Sequence, residues 1–156
     1  MQWFRSTNRS GSRKKSPTRR RGAATVETAL VLPVFFLVLM GIVEVGRAMM
    51  VAQLLNNAAR EGCRAGIMTG STNAEVSTTV EDILGEMIGT TAADITVSVA
   101  VTEFTGNPPA NNQVASAHKR DLCVVSVEVP YDKVSWIPIT WFSNRSLSGV
   151  AAMRHE

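Results

Sequence analysis

From Ala29 to Val43 the chain reads ALVLPVFFLVLMGIV, fifteen residues without a charge. Extended back to Ala23 the run is interrupted only by Glu27 and the small polar residues Thr25 and Thr28. At about 1.5 Å per residue, a helix from Ala23 to Val43 covers the roughly 30 Å hydrocarbon core of a bilayer. A helix this apolar on every face could instead be buried in a protein core, but that would need a large surrounding domain. Only about 90 mostly polar residues follow the helical region. Residues 23–46 therefore read as a transmembrane helix, and no other stretch of the chain competes for that role.

Charge is distributed to match. The chain is formally +3, which suggests a basic protein, but eight of its sixteen bases fall in residues 1–22, where there is no acid. Residues 23–156 hold the other eight bases and all thirteen acids, a net of −5. A basic tail directly before an apolar span, with only Arg47 close behind it, places the N-terminus in the cytoplasm and exports the rest. The tail then faces anionic lipid and is not read as a nucleic-acid-binding element.

Three processing schemes fit such a start. A secretory signal would be cut near Gly46-Arg47-Ala48, where Glu44 and Arg47 crowd the site. Arg19-Arg20-Arg21 suggests a twin-arginine signal, without the hydrophobic residues expected directly after the pair. The third scheme cuts before the apolar run, at Gly22, and leaves Ala23 as the first residue and Glu27 as the fifth.

The span should continue as one helix to about residue 68. Met49, Ala52, Leu55, Ala59, Gly62 and Gly66 recur at helical spacing, while Arg47, Asn57, Arg60, Glu61 and Arg64 make a polar face. Pro33 removes a backbone hydrogen bond and should kink the helix, which membrane helices tolerate. The small residues from Ala48 to Gly66 either allow close packing between helices or seat the head domain.

The head, residues 69–156, reads as α+β. Thr72 and Glu75 have capping-box spacing ahead of a second helix whose apolar face is Val76, Val80, Ile83, Leu84, Met87 and Ile88. Glu81, Asp82 and Glu86 fall on its solvent side. Period-two alternation from Ile95 to Thr102 predicts a strand, followed by a polar loop over residues 105–120. Strands at Leu122–Val129 and Leu147–Arg154 complete an antiparallel sheet of about three strands. Trp136, Trp141 and Phe142 lie in the connection between them and are expected to pack in the core, with the membrane surface or a partner as the alternatives.

The stretch RRRGAATVETALVLPVFFLVLMGIVEVGRAMMVAQLLNNAAREGCRAG resembles the N-terminal segment of the TadE-like family, pseudopilins of the tight-adherence (Flp pilus) secretion system related to type IV pilins. The features that carry the likeness are Gly22, Glu27, Pro33, the Glu44-Val45-Gly46-Arg47 step and Asn57-Ala58-Ala59-Arg60-Glu61. The resemblance implies cleavage between Gly22 and Ala23 by a prepilin peptidase, with the subunit held in the inner membrane. It implies that Glu27 pairs with the N-terminal amine of a neighbouring subunit during assembly, and that the partners are other pilin-like subunits and the inner-membrane assembly platform. Ala23 stands where many type IV pilins have Phe, Thr28 where major Flp pilins have Tyr, and the chain is far longer than a major Flp pilin. A minor pilin or pseudopilin is the form implied. The rival is an uncleaved, signal-anchored envelope protein whose head binds a partner.

Cys63 and Cys123 could form a disulfide if the head is exported, or remain buried thiols. No catalytic, cofactor-binding or metal-ligating residues are expected: His118 and His155 are isolated, and there is no phosphate loop or recognisable nucleophile.

Overall fold

The computed structural model describes the backbone over residues 18–135 and 145–155, with side chains from residue 22 onward. In chain order the regular elements are helix α1 (Thr18–Gly66), helix α2 (Asn73–Ile88) and strands β1 (Thr96–Thr102), β2 (Leu122–Pro130) and β3 (Ser146–Arg154). Single 3₁₀ turns punctuate the connections at Ala92–Asp94, Val114–Ser116 and Tyr131–Lys133. The class is α+β, as the alternating and helical periods require. The chain divides into two compact units, residues 1–40 and 41–156.

In the first unit α1 runs unbroken through Pro33. Its apolar side chains are exposed all round, with Val26, Leu30 and Leu37 each at least 70% accessible. The most apolar window of the helix has a mean hydropathy of 2.5 and is only 6% buried. A core helix would be mostly covered, whereas this one is long and apolar enough to cross a membrane and has almost no protein cover among the described residues.

In the second unit the end of α1 and all of α2 lie on one face of a three-stranded antiparallel sheet ordered β1-β2-β3. The register sets Val101 opposite Cys123 and Val99 opposite Val125, with Ala151 across from Val125 on the other side. Alternation then puts Cys123, Val125, Val127 and Val129 inside, while Glu128 and Val150 face outward. The buried faces of the helices are Val51, Leu55, Ala58, Ala59 and Cys63 on α1 and Val76, Val80 and Leu84 on α2. Burial of each large aliphatic chain is worth about 1.5–3 kcal/mol.

The small residues of α1 seat the head. A β-carbon at Gly62 would lie 2.6 Å from Val80 Cγ2, and one at Gly66 would lie 3.2 Å from Cys123 Sγ. Ala58 and Ala59 are fully buried beside them. Two positions depart from the periodic pattern: Met49 and Met87 are exposed at 65% and 58%. On α1 the covered face runs through Glu44, Val51, Leu55 and Ala58, and Met49 lies to one side of it.

α2 starts with the capping box expected of Thr72. Its hydroxyl accepts from the Glu75 N–H at 3.3 Å, and the Thr72 N–H donates to the Glu75 carboxylate at 2.9 Å. The helix stops at Gly89, whose φ of 73° is a left-handed C-terminal cap and whose N–H bonds to Gly85 O. Trp136, Trp141 and Phe142 lie outside the described residues.

Candidate functional site

Gly22, Ala23 and Glu27 are brought together at the start of α1. All three are exposed, and a β-carbon on Gly22 would meet nothing within 4 Å. Glu27 stands about one helical turn beyond Ala23, beside a shallow surface formed with Thr28, Val31, Leu32 and Phe35. The Thr28 hydroxyl donates back to Ala24 O at 2.8 Å. Because α1 begins at Thr18, the Gly22–Ala23 bond lies inside the helix. A protease would therefore have to unwind the helix around that bond to reach it.

Cys63 on α1 and Cys123 on β2 meet beneath the sheet as buried free thiols. The Cys63 thiol points at Ala151 O, 3.3 Å away, and Cys123 O, 3.8 Å away. Both are acceptors that it serves only while protonated. Cys123 is pushed upward, first by its thiol bond to Cys63 and then by burial, and the same bond pulls Cys63 down to about 7.

Two buried carboxylates carry order that periodicity does not reveal. Glu44 is 3% exposed although it directly follows the charge-free run. Its Oε1 accepts from the Tyr131 hydroxyl at 2.7 Å. Its Oε2 is buried with no hydrogen-bond partner among the described residues. Three residues along the helix, the Arg47 Nε–H donates to Val134 O. Burial first, and then the bond to Glu44, push the Tyr131 phenol up to about 12. Tyr131 is the only tyrosine in the chain. The family-like Glu-Val-Gly-Arg step thus fastens α1 to the connection after β2.

Asp121, fully buried, organises the loop between β1 and β2. Its Oδ1 accepts from the Phe104 N–H at 2.8 Å and from Asn107 Nδ2 at 2.6 Å, and its Oδ2 accepts from the His118 N–H at 2.7 Å. The Phe104 and His118 amides, with help from Asn107, hold its carboxyl below the usual 3.8. The stabilisation from a depressed carboxyl is complete above the unfolded value and is lost as pH falls through the folded one. Thermal melts from pH 6 to pH 2 should therefore show the wild type losing an increment below about pH 4 that Asp121→Asn lacks throughout. Parallel curves would show that the loop does not depend on this charge.

His118 is exposed, whereas His155 is half-buried with Nδ1 enclosed. Among the described residues no group of three His, Cys, Asp or Glu side chains could hold a metal ion.

Residues 22–64 match the family model described as TadE-like protein. The matched segment starts at the glycine before Ala23 and stops two residues short of the end of α1, leaving the head outside it. No curated protein and no solved structure matches the chain significantly.

Proposed function

We propose that the chain is a minor pilin or pseudopilin of a tight-adherence (Flp-type) pilus and secretion system. α1 anchors it in the bacterial inner membrane as a single pass, with residues 1–22 in the cytoplasm and the head exported. A prepilin peptidase removes the leader after Gly22. Glu27 then meets the free amine of a neighbouring pilin-like subunit, and the subunit joins or primes the fibre with the assembly platform.

The observation that carries this reading is the coincidence of the family match with α1. The matched residues 22–64 take in the exposed apolar run of α1 and, at their start, Gly22, Ala23 and Glu27. A carboxylate near the end of a membrane helix is costly alone and gains most from a cationic partner. The reading belongs to assembly and not to catalysis.

Intact mass and N-terminal sequencing of the native protein from membranes test it. The expected chain begins at Ala23 and stays in the membrane fraction. Glu27→Ala should leave cleavage intact and abolish incorporation into fibres or their initiation complex. A full-length chain in the membrane would sink the cleavage step and favour the uncleaved anchor, a reading supported by the helical setting of the Gly22–Ala23 bond.

A further inference from the structure

Where α1 leaves its charge-free run, the second unit holds a groove of about 490 Å³. Its walls are Gly41, Val45, Ala48, Met49 and Ala52 of α1 and Leu147 at the start of β3. Its polar lining residues are Glu44, Tyr131, Arg145 and Ser146. Glu44, bonded through Oε1 to the Tyr131 hydroxyl, lines the groove with Oε2 buried and without a partner among the described residues. Arg145, whose carbonyl accepts from the Tyr131 N–H at 2.8 Å, lines it on the exposed side. A buried carboxylate oxygen without a donor is costly unless a ligand supplies one.

The surroundings decide which ligand. Val45, Met49 and Met50 are all more than half exposed. The apolar surface of α1 thus continues past Glu44 and Arg47, the only two charges in this stretch, and both are tied into the head. The groove is therefore continuous with the lipid-facing surface and lies at the outer boundary of the span.

We propose that this groove binds one amine-headed phospholipid of the surrounding leaflet, its ammonium donating to Glu44 Oε2, its phosphate facing Arg145, and an acyl chain along the apolar wall. A primary ammonium supplies the missing donor, and a guanidinium is the natural partner of the phosphate. Choline, with no N–H, cannot make the bond to Glu44. The inference rests on the membrane-anchored reading above and adds a lipid preference to it.

The test uses the full chain reconstituted into bilayers of equal phosphatidylethanolamine and phosphatidylcholine, with the lipids retained after mild extraction weighed by native mass spectrometry. Enrichment of phosphatidylethanolamine by about tenfold is expected, the effect of one charge-assisted hydrogen bond. Glu44→Gln should bring the ratio close to parity, and Arg145→Gln should lower retention of both lipids. If Glu44→Gln does not fold, Ala52→Phe, which fills the groove and spares the carboxylate, should reduce retention in the same assay. Parity in the wild type, or enrichment that survives Glu44→Gln, overturns the proposal. Cross-linking of two copies through Met49→Cys in place of lipid retention overturns it as well, because the groove then holds a second chain. Failure of the protein to float with vesicles would refute the anchoring reading itself, whereas flotation with parity refutes only the lipid site.

Discussion

Gly149→Ala is expected to cost the head about 3 kcal/mol or more. A β-carbon there would lie 2.5 Å from the Leu55 carbonyl carbon, 2.6 Å from Asn56 N and 2.8 Å from Leu55 Cβ. The first two are helix backbone, which cannot swing aside as a side chain can. β3 would have to move off α1, breaking the 3.2 Å bond from Val150 N to Asn56 Oδ1 and uncovering Ala151. Gly62→Ala offers the contrast: its close neighbour is a methyl group of Val80, and alanine favours a helix by about 1 kcal/mol over glycine, so the net change should be small. Urea titrations in detergent, followed by the circular dichroism of sheet and helix, would compare the two. Equal midpoints for Gly149→Ala and the wild type would show that α1 and β3 are not in close contact.

The second large effect is expected from Cys63 and Cys123. Thiol–disulfide exchange with a disulfide-bearing oxidoreductase would pass two electrons and two protons to that enzyme's disulfide, leaving it a dithiol, and would close a loop of about 60 residues here. In the chain-entropy view that closure adds about 4 kcal/mol. The pair would join α1 to β2 at the centre of the core, where both thiols are already buried. Protein collected without reductant should unfold at higher urea than the reduced form, and Cys63→Ala should remove the difference while barely changing the reduced midpoint. Thiol counting under denaturing conditions provides the check, and two free thiols in native protein would refute the bridge.

The elements that reached the structure intact from sequence were those with a local cause. Period-two alternation located β1, β2 and β3 to within about a residue, and the Thr72–Glu75 spacing located the start of α2. The long helix was legible because residues 29–43 form an unbroken charge-free apolar run. What stayed hidden depends on distant partners. Glu44 reads as an exposed charge at the end of a span, yet its partner Tyr131 lies 87 residues on. Asp121 reads as a loop terminus, and only the folded loop turns three donors toward it. Gly149 looks like an interruption in a strand until α1 is laid across it. Helical spacing placed Met49 and Met87 on inner faces, yet both are exposed, and the buried line on α1 passes through Glu44, Val51 and Leu55 instead. Of the candidate site, Gly22, Ala23 and Glu27 were readable from spacing and family likeness, while the Glu44 groove needed tertiary structure.

The bonds between α1 and the head are spread along the helix and do not gather at one point. Tyr131 holds Glu44, Val134 holds Arg47, Asn56 holds Val150, and Cys63 faces Ala151. Traction along the helix axis would strain these links side by side, in shear, and would not peel them open one after another. A head fastened in this way resists being stripped from its stem.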